Sequence, residues 1–189
     1  MIDKSLYLRD INTKGFIMRP AYLHIQEKLG SDICGAEIGI YLGETAEYCL
    51  RNLKPRMYYM IDPYDEFGGR SREDWTEIYI WISGIFQNRP NVQFIRDTSE
   101  NACKMFRDKE LDFVYIDANH DYKYVEKDIN IWYNKIKKGG VLSGHDFDNP
   151  SCPGVRQAVE EFSSKIGKPY FTQKGFECHG GIFDWWIDL

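Results

Sequence analysis

The chain has 189 residues, of which 43% are hydrophobic and 28% are charged, and these values are typical of a globular protein of one domain. A formal net charge of −5 without a basic stripe argues against nucleic acid as a partner. No apolar run reaches the roughly 18 residues of a membrane-spanning helix. The N-terminus lacks the basic start and apolar core of a signal peptide. We therefore expect a cytoplasmic protein that binds neither nucleic acid nor a membrane.

The cysteine pattern agrees with a reducing compartment. The five cysteines are odd in number, scattered along the chain and never spaced as C-x-x-C. Such a pattern favours reduced thiols over a disulfide framework or a zinc site. The cysteines are Cys34, Cys49, Cys103, Cys152 and Cys178.

Strand and helix patterns alternate along the chain. A first helix is predicted at 20–30, with proline at its start and glycine at its end. Strands are predicted at 36–42, 57–61, 92–95, 111–116 and 140–143, and helices at 44–53, 73–87, 99–106, 122–136 and 155–166. Two strands, at 169–172 and 181–187, end the chain without a convincing helix between them.

This alternation predicts an α/β fold with a single Rossmann-like, doubly wound and mostly parallel sheet. The last two strands predict a hairpin that adds one antiparallel strand at the C-terminus. We expect one domain over 1–189, in which 1–32 form an N-terminal cap or helix and 33–189 form the core.

The first strand runs into a glycine-bearing turn that carries an acid. Glu37, Gly39 and Gly43 do not have the G-x-G-x-x-G spacing of a dinucleotide fingerprint, and the chain has no P-loop. An acid at this turn suits a ligand with a cationic ammonium group better than one with a phosphate. Asp62, at the end of the second strand, can accept hydrogen bonds from the hydroxyls of a ribose. An NAD-dependent oxidoreductase of Rossmann type stays an alternative.

Carboxylates and imidazoles follow the fourth and fifth strands. Asp117 and His120 follow one strand, and His145 and Asp146 follow the other. Ligands bind at the carboxyl edge of an open α/β sheet, so we expect these side chains to meet there.

Five short motifs follow one another in a characteristic order. They are Glu37-x-Gly39-x-x-x-Gly43, Asp62-Pro63, Asp97-Thr98-Ser99, Ile116-Asp117-x-x-His120-x-Tyr122 and Gly144-His145-Asp146-Phe147. With Asp128 and Trp132, this order resembles the class I S-adenosylmethionine-dependent methyltransferases. Within that class it is similar to small-molecule O-methyltransferases of family 24 type, which are related to macrocin and sugar O-methyltransferases. The resemblance covers roughly residues 33–165.

The sequence departs from the family pattern at three positions. Ala118 stands where a glycine is usual, Asn119 replaces an acid, and Phe147 replaces a tyrosine. Asn119 alone removes a charged group, so the departures affect the turn after the fourth strand more than the chemistry.

The resemblance implies roles for individual residues. It implies S-adenosylmethionine as the cofactor, a divalent metal such as Mg²⁺ or Mn²⁺, and a small-molecule acceptor with a hydroxyl group. The implied cofactor contacts are Glu37, Gly39, Gly43, Asp62, Asp97, Thr98, Ser99 and Asp117. The implied metal ligands are Asp117, His145 and Asp146. His120 is the implied general base, with His145 as the second candidate.

Several interpretations stay open at this stage. A non-catalytic domain that binds S-adenosylmethionine is a second alternative, and a homo-oligomer is compatible with the sequence. The acceptor can be a sugar hydroxyl or a phenol, in a pocket lined by Arg70, Arg72, Trp75 and Tyr79. We expect Asp121 and Asp128 to be solvated, Trp132 to pack in the core, and the segment 179–181 to turn a hairpin.

Overall fold

A computed structural model describes residues 18–175 and 182–189. The described helices are α1 (Pro20–Leu29), α2 (Glu44–Asn52), α3 (Arg72–Phe86), α4 (Ser99–Cys103), α5 (Tyr122–Tyr133) and α6 (Pro153–Ile166). The described strands are β1 (Cys34–Ile38), β2 (Met57–Ile61), β3 (Val92–Ile95), β4 (Leu111–Ile116), β5 (Ile136–Gly144), β6 (Tyr170–Lys174) and β7 (Phe183–Asp188). The predicted turn at 179–181, Cys178 and the first 17 residues lie outside the described residues.

The strands form one sheet of seven strands in the order β3-β2-β1-β4-β5-β7-β6. The pairs among β1 to β5 are parallel, whereas β7 runs antiparallel to both β5 and β6. The prediction of a doubly wound, mostly parallel sheet with a C-terminal antiparallel strand is therefore confirmed. The strand order reverses between β1 and β4, which is where such sheets bind ligands.

The side chains of β4 alternate between two hydrophobic clusters on the two faces of the sheet. Val114 and Ile116 belong to the cluster that includes residues of α4, α5 and α6. Phe113 and Tyr115 belong to the cluster that includes residues of α1, α2 and α3. Because successive strand residues point to opposite faces, one central strand contributes to both cores.

Most element boundaries agree with the sequence pattern, and the exceptions have local causes. β1 ends at Ile38 because Gly39, with φ of +89°, turns the chain away from the sheet. Helix α5 stops at Tyr133, three residues before the predicted end, because Ile136 already pairs with Leu111 in the sheet. Within 18–175 and 182–189, no helix combines the length and apolarity needed to cross a bilayer.

Candidate active site

A cavity of about 760 Å³ opens at the carboxyl edge of the sheet. Seven of the eight residues predicted to contact the cofactor line it. They are Glu37, Gly39, Gly43, Asp62, Thr98, Ser99 and Asp117. Asp97 does not line the cavity; its carboxylate accepts hydrogen bonds from the Thr98 amide at 2.7 Å and from Asn101 Nδ2 at 3.0 Å. Its role at the cofactor stays a prediction.

Glu37 lines the cavity and is only 1% exposed. Tyr58 donates a hydrogen bond to Glu37 Oε2 at 2.5 Å, and the Tyr58 hydroxyl is itself 2.8 Å from the Tyr22 hydroxyl. Burial raises the pKa of Glu37 to about 8, although the Tyr58 hydrogen bond acts in the opposite direction. A cationic group bound beside Glu37 would favour its carboxylate form.

Asp62 organises the glycine turn as well as lining the cavity. Its Oδ2 accepts hydrogen bonds from the amides of Ile40 and Tyr41, at 2.9 and 3.1 Å, and its Oδ1 accepts one from the amide of Tyr64 at 2.8 Å. A carboxylate has about four acceptor positions. The three backbone amides occupy three of these positions on Asp62, which leaves about one for a ligand. Asp62 can therefore accept a hydrogen bond from one ribose hydroxyl, and not from both as expected from the sequence.

Gly39 is required by the packing of the protein itself. A Cβ at this position would lie 2.1 Å from the carbonyl oxygen of Asp117. The turn after β1 can therefore approach the turn after β4 only with glycine here. This contact brings Glu37 and Asp117 to the same cavity.

The lining of the cavity also includes a buried acid that the sequence interpretation did not recognise. Asp128 is 6% exposed, so the prediction that it is solvated is wrong. Ser99 donates a hydrogen bond to Asp128 Oδ1 at 2.5 Å and accepts one from Trp132 Nε1 at 2.8 Å. Burial raises the pKa of Asp128 to about 6. Trp132 is fully buried, as predicted.

Asp117, His120 and Asp146 meet beside the cavity, at the ends of β4 and β5. His120 Nε2 lies 2.9 Å from Asp146 Oδ2 and 3.4 Å from Asp117 Oδ1. Burial disfavours the charged imidazole, but the hydrogen bonds to both carboxylates outweigh it and raise the pKa of His120 to about 10. Burial likewise opposes the charge of Asp146, yet His120 and His145 hold the pKa of Asp146 well below its usual value.

Asp146 has a backbone φ of +59°, a conformation that L-residues adopt at a cost. Strain of this kind is concentrated at functional sites, where the surrounding structure holds it in place. The strained backbone turns the Asp146 carboxylate toward His120, on the neighbouring strand end. Asp117, His145 and Asp146 each offer a metal-ligand atom, and these atoms lie within 4.8 Å of one another. The three residues predicted as metal ligands are therefore adjacent.

The surroundings of His145 favour a positioning role. His145 Nε2 lies 3.2 Å from Arg19 Nη1, and an arginine side chain can only donate hydrogen bonds. A neutral His145 therefore accepts at Nε2 and carries its proton on Nδ1, which lies 3.1 Å from Asp146 Oδ2. In this tautomer His145 orients the Asp146 carboxylate, and Asp117 and Asp146 are left as the stronger metal-ligand candidates. The prediction that His145 is a ligand or a base is untested.

A buried polar cluster beside the cavity was missed by the sequence interpretation. Asp184 is 0% exposed and accepts hydrogen bonds from the Tyr115 hydroxyl at 2.9 Å and the Ala21 amide at 3.0 Å. Burial raises the pKa of Asp184 to about 6, and the charge of Arg19 opposes this shift. An acid within the apolar run 182–187 was the one local signal of this cluster.

His120 also lines a second cavity, of about 500 Å³. This cavity lies between the loop after β4 and the start of α6, and Cys152 and Gln157 contribute to its wall. Phe67 and Asn119 border both cavities. His120 is thus shared by two adjoining cavities.

None of the four residues expected to line an acceptor pocket lines the smaller cavity, and two of them line the larger one. Arg70 and Trp75 line the larger cavity, and the Arg70 guanidinium lies 5.4 Å from the Trp75 ring centre. Arg72 instead pairs with Asp65 at 2.7 Å, and Tyr79 packs against Phe94. Arg72 and Tyr79 are in neither of the two cavities.

Comparison with known proteins gives similar folds and one family. A curated relative, an uncharacterised protein of Acanthamoeba polyphaga mimivirus, is 27% identical over 169 residues, which are 84% of this chain and 74% of the relative. The spermidine synthase of Thermotoga maritima superposes on 87% of this chain with a TM-score of 0.64 at 16% identity. This chain spans only 57% of that synthase.

A second structure matches over nearly its full length. The O-methyltransferase TomG of Streptomyces achromogenes, which is involved in tomaymycin synthesis and was crystallised with S-adenosylmethionine, has a TM-score of 0.67 at 15% identity. The match covers 100% of this chain and 91% of TomG. Residues 36–147 match the model of a family described as a methyltransferase domain. Because this match spans more than half of the chain, the chain belongs to that methyltransferase-domain family, with the Rossmann-like class I architecture that its motifs predicted.

Proposed function

We propose that this protein is an S-adenosylmethionine-dependent O-methyltransferase that acts on a hydroxyl of a small molecule. The observation that carries the proposal is the position of His120 in the wall between two cavities. One cavity carries the acids expected for a cofactor with an ammonium group and a ribose. The other can admit an acceptor. Methyl transfer to a hydroxyl needs a base between the methyl donor and the acceptor, and His120 borders both cavities.

The lining of the larger cavity offers partners for the ammonium, ribose and adenine groups of S-adenosylmethionine. Glu37 offers an acid to the ammonium group, and Asp62 offers an acceptor position to a ribose hydroxyl. In the same lining, Ser99 and Asp128 offer polar partners to the adenine. TomG, which has the same fold, was crystallised with this cofactor. The cavity volume of about 760 Å³ is within the range of small-molecule and cofactor sites.

A divalent metal fits the carboxylate pair. Asp117 and Asp146 offer hard oxygen ligands of the kind that Mg²⁺ and Mn²⁺ prefer. When bound, such an ion supplies positive charge beside the acceptor oxygen and lowers the pKa of its hydroxyl. It would also counteract the effect of the two carboxylates on the pKa of His120.

The residues of this chain then have distinct tasks. Asp62 and the turn at Gly39 hold the methyl donor, while the wall of the smaller cavity orients the acceptor. Transfer is an in-line displacement in which alignment supplies much of the rate. His120 takes the proton from the acceptor hydroxyl as the new oxygen–carbon bond forms, and the neutral thioether leaves.

Calorimetry with S-adenosylmethionine, S-adenosylhomocysteine and NAD tests the proposal against its rivals. We expect both adenosyl ligands to bind, and NAD not to bind. Methyl transfer is then measured with methyl-labelled S-adenosylmethionine and matched panels of sugars and phenols. Binding of NAD alone would favour the oxidoreductase, and binding of the adenosyl ligands without transfer to any acceptor would favour the non-catalytic domain.

The metal is tested separately. Crystals soaked in Mn²⁺ should give an anomalous peak between Asp117 and Asp146, and a chelator should abolish turnover until the ion is restored. Absence of the peak, together with chelator-resistant turnover, would mean that the reaction is metal-independent and that His120 must lose its proton before it can act as the base.

A further inference from the structure

A cysteine lies beside His120 and Asp146 and offers a chemistry that the proposed methyl transfer does not use. Ligand atoms of His120, Asp146 and Cys152 lie within 4.8 Å of one another. The closest pair given is His120 Nε2 and Asp146 Oδ2, at 2.9 Å. Cys152 is the N-cap residue of α6 and lines the smaller cavity together with His120. Two of the three residues of this cluster therefore border one cavity.

Backbone contacts hold the three residues in place. The amide of Asn149 donates to the Asp146 carbonyl at 3.3 Å, and the amide of Cys152 donates to the Asn149 carbonyl at 2.8 Å. The Asn149 side chain also donates to Asp146 Oδ1 at 2.6 Å. His120 is fixed against the same loop, because a Cβ on Gly154 would lie only 2.8 Å from the His120 carbonyl oxygen. The loop between β5 and α6 thus sets the position of Cys152 relative to both other groups.

The cluster differs in its donor atoms from the carboxylate pair of Asp117 and Asp146. Cys152 adds a sulfur atom and His120 a ring nitrogen to one oxygen of Asp146. Sulfur and imidazole ligands select Zn²⁺ over Mg²⁺, and zinc often has three protein ligands and one water. Ligand atoms around a tetrahedral zinc ion are separated by roughly 3.3–3.7 Å, so small side-chain movements would bring these three groups around one ion.

We infer that His120, Asp146 and Cys152 form a second metal site, which binds Zn²⁺ through one nitrogen, one oxygen and one sulfur atom. Binding displaces the protons of the thiol and the imidazole nitrogen to water. The nitrogen of His120 that faces Asp146 cannot take up a proton while it is bound to zinc. A filled site therefore blocks the proposed methyl transfer. This consequence rests on the proposed function, whereas the binding of zinc does not depend on it.

The site is tested with Co²⁺, which replaces Zn²⁺ at such sites and has a visible spectrum that reports its ligands. A cobalt–thiolate bond gives a charge-transfer band in the near ultraviolet, and tetrahedral coordination gives intense visible bands. We expect wild-type protein, in buffer without thiol reductants, to show a saturable thiolate band that Zn²⁺ removes. Wild-type protein without such a band would overturn the inference.

Variants assign the ligands. Cys152→Ala should lose the thiolate band and bind Zn²⁺ at least about 100-fold more weakly, because even the loss of a residue that only orients a ligand costs about 10- to 100-fold. Cys103→Ala is the matched control and should keep the band, since Cys103 is buried at the end of α4 and its thiol donates to the Ile131 carbonyl. His120→Ala should also weaken zinc binding, whereas His24→Ala should not. A thiolate band that persists in folded Cys152→Ala would place the ion at another cysteine and overturn the inference.

Methyl transfer separates the inference from the proposed function. Zn²⁺ should inhibit the wild-type reaction, and half-inhibition of Cys152→Ala should need a zinc concentration raised by the same factor as its loss of affinity. If wild-type protein shows no methyl transfer, the proposed function fails while the cobalt spectra still decide the site. If zinc inhibits both proteins equally, it acts at the carboxylate pair of Asp117 and Asp146, and the block at His120 is overturned. Zinc that binds at Cys152 without slowing the reaction also overturns that block.

Discussion

Glu37 is a buried acid at the point where we expect a cationic ammonium group to bind, and this makes ligand affinity depend on pH. The pKa of Glu37 is raised to about 8, so the free protein carries this carboxyl mostly protonated at neutral pH. An ammonium group favours the ionised form, so binding releases a proton. Affinity for S-adenosylhomocysteine should therefore rise between pH 6 and 7.5, by up to about tenfold per pH unit.

Calorimetry across this range, in buffers of different ionisation heat, measures both the affinity and the released proton. The glutamine of Glu37→Gln does not titrate. In this variant we expect a weaker affinity for S-adenosylhomocysteine and a smaller change of that affinity with pH. A wild-type affinity that does not change between pH 6 and 7.5 would mean that Glu37 is already ionised or does not meet the ammonium group.

His120 provides the second prediction at this scale. Replacing it with alanine removes the proposed base but leaves the residues that hold the cofactor. His120→Ala should keep the affinity for S-adenosylhomocysteine and lose about 10²- to 10⁴-fold in the rate of methyl transfer. His24→Ala is the matched control, because His24 lies on α1 and pairs with Asp188. Near-normal turnover in His120→Ala would move the search for the base to His145.

At the scale of elements, the approach of α6 to the loop after β4 fixes the position of His120. A Cβ on Gly154 would lie 2.4 Å from the Tyr122 amide nitrogen and 2.8 Å from the His120 carbonyl oxygen. Both are backbone atoms, so Gly154→Ala must push α6 and this loop apart. We expect a stability loss of about 1–3 kcal/mol, as for other overpacked sites, and a slower reaction without loss of cofactor affinity.

Gly84→Ala is the matched control, because it also replaces a glycine in a helix with alanine. Gly84 lies within α3, and a Cβ there would meet no atom within 4 Å. Alanine in an open helix interior should stabilise the protein by about 0.5–1 kcal/mol. Chemical denaturation of both variants measures the contrast, and a Gly154→Ala protein as stable as wild type would show that α6 does not constrain the loop.

Helices α4 and α5 are joined by the buried pair of Ser99 and Asp128, and this pair predicts a pH-dependent stability. The pKa of Asp128 is about 6 in the fold, whereas an unfolded aspartate has its usual value near 4. The unfolded chain therefore binds fewer protons between these values, and the contribution of Asp128 to stability falls as pH rises from about 4 to 6.

Asp128→Asn removes this dependence while keeping an oxygen that accepts from Ser99. The variant should match wild type near pH 4 and become more stable than wild type by up to about 3 kcal/mol above pH 6. Urea unfolding at several pH values measures the difference. A difference that stays constant with pH would mean that Asp128 titrates alike in the folded and unfolded states.

The elements and the acidic edge of the sheet could be predicted from the sequence because both depend on local order. Asp117 and Asp146 directly follow apolar strands, and parallel strands present their carboxyl ends at one edge. Arg19 and Asp184 could not be found in this way. Their partners are distant in the chain, 126 residues away for Arg19 with His145 and 69 for Asp184 with Tyr115, so no local spacing records the contact.

At the scale of the whole molecule, the larger cavity is assembled by elements from both faces of the sheet. Its wall includes Thr45 of α2, Trp75 of α3 and Asp128 of α5, together with residues at the ends of β1 and β2. Global unfolding separates all of these groups, so an unfolded chain should have no affinity for the ligand. Binding must therefore stabilise the entire fold by mass action.

S-adenosylhomocysteine at 100 times its dissociation constant should then add about 2.7 kcal/mol to the free energy of unfolding. For a chain of this length, that corresponds to a rise in melting temperature of roughly 5–10 °C. Calorimetric melting at increasing ligand concentration measures it, and NAD at the same concentrations serves as the control without effect. A ligand that binds and leaves the melting temperature unchanged would contradict this prediction. It would mean that the elements lining the cavity open, and release the ligand, before the rest of the sheet unfolds in the main transition.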